Sequence, residues 1–96
     1  METIFSFVLD MKTVNGFESY GRFFIGNNRE FAHPVFHKLK GNAEVSESDI
    51  LHINLIETRR SLPVNIKMIN CTLEELTENC KIITKEVFKF FNLEEI

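Results

Sequence analysis

The chain has no tryptophan, one tyrosine, and only two cysteines and two prolines among its 96 residues. The cysteines exclude a disulfide framework. Cys71 and Cys80 lie nine residues apart along a predicted helix, a separation of roughly 13 Å at about 1.5 Å per residue. A bridge needs Cα atoms within about 7 Å, so two reduced thiols in a cytoplasmic protein are expected. The four glycines, Gly16, Gly21, Gly26 and Gly41, build no phosphate loop. The stretch Gly21 to Gly26 lacks GxGxxG spacing and matches no P-loop.

Long hydrophobic runs are missing as well. No segment approaches the roughly 20 apolar residues that cross a bilayer. The apolar start, Ile4 to Leu9, is short and follows Glu2, an acid where a secretory leader carries a base. It reads as a strand, and no membrane association is expected. Positive charge is also in short supply: the net charge is −3, which argues against a nucleic-acid partner bound through phosphate neutralisation. Arg59 and Arg60 read as solvated charges at a hairpin tip.

What is abundant is phenylalanine, ten in all, within a chain that is 44% hydrophobic and 26% charged. That composition is ordinary for a folded domain, and residues 1–96 read as a single one. Phe carries no polar atom to satisfy, so most of the ten can fill a core. A chain this short cannot easily bury them all, and exposed apolar surface favours self-association.

Residues 3–13 alternate, with Phe5, Phe7, Leu9 and Met11 on one side and Ser6, Val8, Asp10 and Lys12 on the other. Phe17 to Ile25 returns after Val14-Asn15-Gly16. A three-residue loop with Gly16 left-handed pairs Phe7 with Phe23, Phe5 with Ile25 and Lys12 with Glu18, and it separates the faces better than a two-residue Asn-Gly turn. Phe31, Val35, Phe36 and Leu39 then recur at helical spacing over residues 28–40. Pro34 leaves the start open: Asn28 would make it an interior proline, His33 a natural first residue. Residues 41–49 are polar and turn-rich, a surface loop.

Ile50 to Glu57 and Leu62 to Asn70 form a second hairpin, with Thr58 to Ser61 as a four-residue loop. Its expected register pairs Leu55 with Val64, Ile53 with Ile66 and Leu51 with Met68. Pro63 places the last strand at a sheet edge. From Thr72 to Glu95 the chain reads as a long amphipathic helix. Thr72 and Glu75 have capping-box spacing. Leu76, Cys80, Ile83, Val87 and Phe90 or Phe91 form the apolar stripe. The order is ββαββα: an α+β two-layer sandwich, one four-stranded, mostly antiparallel sheet with both helices on one face. Strand order stays open.

Both helices on one face leave the other uncovered. The expected registers place Ile4, Val8, Asp10, Tyr20, Arg22, Phe24, Ile50, His52, Asn54, Ile56, Asn65, Lys67 and Ile69 there. Of these, Asp10, Tyr20, Arg22, Phe24, His52, Asn54 and Lys67 form the candidate binding surface. Tyr, Arg and Phe are enriched at interfaces. His33 and His37 have metal-ligand spacing but no evident third ligand and no HExxH, so no metal is expected, and no cofactor. No nucleophile with an orienting partner stands out. The favoured reading is a non-enzymatic interaction module whose partner is itself, as a homodimer, or another protein. The alternative is a small-molecule-binding domain or enzyme with a shallow site around His52, Asp10 and Arg22.

Overall fold

A computed structural model describes residues 3–46 and 48–92. The order is β1 (Thr3–Thr13), β2 (Gly16–Gly26), α1 (Arg29–His37), β3 (Leu51–Arg59), β4 (Leu62–Cys71) and α2 (Leu73–Asn92). The four strands make one sheet in the order β2-β1-β3-β4, antiparallel at every pair. The connection through α1 therefore passes over β1 and lays β3 parallel to β2. The expected end of the last helix, residues 93–95, lies outside the described residues.

The alternation of β1 does what its period dictates. Phe5, Phe7 and Leu9 face the helices, with Leu51, Ile53 and Leu55 of β3 beside them, all buried. Ala32, Val35 and Phe36 of α1 and Leu76 and Ile83 of α2 close this layer from one side. Phe36 meets Phe7 edge-on, ring centres 5.4 Å apart. Pro34 sits inside α1, because Asn28 caps the helix by accepting from the Phe31 amide at 3.1 Å. The proline removes the amide that would reach the Glu30 carbonyl, and the helix runs only nine residues.

The capping box of α2 is present in both directions. The Thr72 amide donates to Glu75 Oε1 at 2.9 Å, and the Glu75 amide to Thr72 Oγ1 at 3.1 Å. Burial pushes the Cys71 thiol beside this cap up to about 11, with Glu75 and Cys80 adding to the effect. It is a protonated apolar filler at neutral pH. Both cysteines are free.

Both hairpin registers differ from expectation, each through a bulge on the outer strand. In the first, Phe7 does pair with Phe23, but Lys12 meets Phe17 rather than Glu18, and Phe5 meets Gly26 rather than Ile25. The loop is Val14-Asn15, with Gly16 at φ +101° just after it. The register shifts at Tyr20 and again at Ile25. In the second, the loop is only Arg60-Ser61, both at positive φ (55° and 68°). That is the backbone of a type I′ turn, which matches strand twist. Leu55 consequently pairs with Lys67, Ile53 with Ile69 and Leu51 with Cys71. The bulge at Ile66 inverts every later side chain. Met68 leaves the helix side, and Val64 and Ile66 are exposed. Ile69 and Cys71 take their place in the core.

One core position breaks the apolar stripe of α2. Asn79 is fully buried. Its side-chain amide donates to the Lys40 carbonyl at 2.8 Å, and its oxygen accepts from the Lys40 amide at 2.7 Å. It gives the chain leaving α1 the two backbone partners that a strand would have supplied. Removing it leaves both Lys40 groups short of a bond, so Asn79→Ala and the similar-volume Asn79→Leu should each lower stability by about 2 kcal/mol in urea unfolding. Equal loss in the two variants identifies the bonds, and not the volume, as the cause. Ser61→Gly should instead raise stability by about 0.5–1 kcal/mol, relief of left-handed strain less the entropy of an added glycine.

Candidate functional site

The bulge at Tyr20 rearranges the uncovered sheet face. It turns Phe17 and Ser19 onto that face, opposite Lys12 and Asp10. Ser19 Oγ donates to Asp10 Oδ1 and Asn54 Nδ2 to Asp10 Oδ2, both at 2.6 Å. Asn65 Nδ2 donates to Asn54 Oδ1 at 3.3 Å. A polar row thus runs across all four strands. His52 lies beside it, with Nε2 3.0 Å from Asp49 Oδ2 and its ring stacked under Phe17, centres 4.3 Å apart. Neighbouring side chains bury the middle of the face. Val8 lies between Arg22 and Asn54, and Ser6 between Phe24 and Ile56; Ser6, Val8, His52 and Asn54 are all buried.

Of the expected surface residues, Asp10, His52 and Asn54 are therefore together, but committed to one another and to the chain. Both Asp10 oxygens are occupied, and Phe17 covers His52. Among the described residues, no buried side-chain nitrogen or oxygen lacks a partner. This network ties neighbouring strands together through their side chains. Arg22 stays on this face, across from Val8. Tyr20 is the unpaired residue of the bulge and is half exposed; burial raises its phenol's pKa, with Cys80 and Cys71 adding to the effect. Lys67 and Ile69 are on the helix side, through the bulge at Ile66. Phe24 pairs with Ser6 on the edge strand and borders a groove against α2.

That groove, of about 340 Å³, is lined by Phe23, Ile83, Val87, Phe88 and Phe91 among others, and no charged residue lines it among the described residues. Phe24, Phe88 and Phe91 are 62%, 56% and 53% exposed. Phe91 is braced behind by Phe90 and Phe31, rings 5.1 and 6.4 Å away, and its edge leans on Gly26. Gly26 has φ +111°, and a Cβ there would stand 3.2 Å from Phe91 Cζ.

A second cluster gathers basic groups between α1 and the sheet. Arg29 donates to Glu57 at 2.9 Å and Arg59 to the same carboxylate at 2.8 Å. Arg29 also lies over the Phe5 ring at 5.6 Å. His33 packs edge-on against Phe5. His37, one turn further along α1, receives a hydrogen bond from Lys67 at 2.6 Å. His33 and His37 share a helix face, but each is engaged separately. No group of three or more potential metal-ligating side chains is gathered among the described residues, and no helix there is long and apolar enough to cross a membrane.

No protein-family model, curated protein or solved structure matches this chain. The geometry alone must carry the functional reading.

Burial lowers the His33 pKa below its ordinary 6.5, as do Arg29, Lys67 and His37, against an opposing pull from Glu57. A histidine that resists protonation when folded binds more protons unfolded. Stability should therefore fall as pH drops through 6.5 toward the lower folded value. His33→Gln should flatten that slope in urea-unfolding midpoints taken across the same interval.

Proposed function

We propose that this chain is a non-enzymatic interaction module that associates with a second copy of itself through the seam between β2 and α2. The observation that carries the reading is three phenylalanines, from a strand and a helix, each more than half exposed around one uncharged groove. Solvent-facing apolar residues scattered singly need no explanation; three converging on one concavity do.

A second copy suits this patch better than an unlike partner. An isologous contact asks one surface to complement itself. A patch of single-sign charge would repel its own image, whereas this groove has no charged lining among the described residues. The size is adequate. An edge of 11 residues is about 37 Å long. With a shortest dimension of 21 Å, the flank offers roughly 750 Å², close to the roughly 800 Å² per partner of a standard interface. Phe88 and Phe91, one turn apart, can insert beside Phe24 of the other copy, with Thr84 and Asn92 as polar rim.

Light scattering on the eluting protein tests this. The monomer weighs 11.2 kDa, and twice that mass is expected at high loading. Phe24→Asp and Phe88→Asp should each return the monomer with unchanged circular dichroism, since neither side chain is in the core. Arg22→Glu, outside the lining of the groove, should leave the dimer intact. A wild-type monomer at every concentration overturns the proposal, as does a dimer broken by Arg22→Glu but not by Phe88→Asp.

A further inference from the structure

We infer that the pocket between α1 and β4 binds a small amphipathic anion: a carboxylate carrying a short apolar tail. The pocket holds about 480 Å³, within the range of small-ligand sites. Phe36, Leu39 and Ile69 give it an apolar lining, Met68 borders it with its side chain turned to the other sheet face, and Lys67 and His37 also line it. No carboxylate lines it among the described residues. An apolar floor with a few convergent polar groups at one end is the usual form of a site for a molecule with a greasy body and a polar head.

The head groups fit an anion. Lys67 Nζ lies 2.6 Å from His37 Nε2. An ammonium only donates, and it has three hydrogens. One goes to the imidazole, leaving two for a ligand. The accepting Nε2 places the ring hydrogen of His37 on Nδ1, a further donor. Among the described residues, Arg29, Arg59 and Lys67 gather on this side of α1 against the single carboxylate of Glu57. Glu57 is itself paired with Arg29 and Arg59. In a chain of net charge −3, this corner is of the opposite sign.

The wall facing the helix is fastened in place. Asn79 holds Lys40, as described above. Asn42 and Asn70 exchange two backbone hydrogen bonds of 2.9 Å, and Asn70 Nδ2 donates to the Glu44 carbonyl at 2.6 Å. Gly41, which lines the pocket, has φ +153°, and a Cβ there would come within 2.5 Å of the Asn70 carbonyl oxygen. Only glycine lets the chain lie this close. The segment around Gly41 is thereby held against β4 before any ligand arrives, which lowers the ordering cost of binding.

Sodium octanoate, below its micellar concentration, is the probe, read by amide and histidine-ring NMR shifts. The titration is run in the Phe88→Asp variant, so that the outcome does not depend on self-association. Saturable shifts should cluster on His37, Gly41, Ala43 and Met68. Acetate, a head without a tail, should cause none, and octan-1-ol, a tail without charge, should bind at least tenfold more weakly. Lys67→Met, a change at an exposed side chain, should cost the same factor, and Lys67→Arg should retain binding. The inference is overturned by the absence of saturable shifts. It is equally overturned by octanol or Lys67→Met matching the parent affinity, or by shifts centred on Phe23 and Val87 of the seam.

Discussion

Strand β1 is paired on both flanks, and its two-residue period divides the molecule into a helix side and a solvent side. Phe5, Phe7 and Leu9 can be buried only if something covers them, and the two helices are the only elements long and apolar enough to do so. Everything else is arranged around that requirement. β3 supplies a matching row through a regular ladder without a bulge. The central pair is thus rigid in register, and all irregularity is displaced to the outer strands.

That division explains what could be read from the residues in advance. Periodicity gave the six elements, because each carries a long and consistent pattern. Thr72 and Glu75 announced the start of α2 correctly because a capping box is local: its two hydrogen bonds involve residues three apart. Tyr20 and Ile66 could not be read the same way. A bulge leaves the alternation of its own strand looking almost intact, and its effect appears only on the partner, as an inverted face. Arg60-Ser61 concealed its turn because neither residue is the Asn or Gly that favours positive φ. Asn79 was invisible for another reason. A polar side chain in an apolar stripe gives no sign of a backbone partner 39 residues away.

The candidate surface followed from the same registers and shared their errors. Asp10, His52 and Asn54 do meet, and the Tyr20 bulge brings Phe17 and Ser19 among them. Lys67, expected on the open face, is instead on the helix side beside His37. The phenylalanine excess was legible as a count; where the surplus comes to rest was not. Part of it collects where β2 and α2 diverge: Phe23 turns under α2, and alternation turns Phe24 to the other side of the same edge strand.

The irregularities on β2 and β4 have one further effect. An exposed strand edge is a template that another chain can extend, and repeated extension yields fibres. Here both outer strands are kinked by bulges, β4 has a proline with no amide to offer as its second residue, and its far end is already occupied by Asn42. Sideways growth of the sheet is obstructed at both margins. Such a molecule can keep adhesive aromatic side chains on its flank without being drawn into open-ended polymerisation.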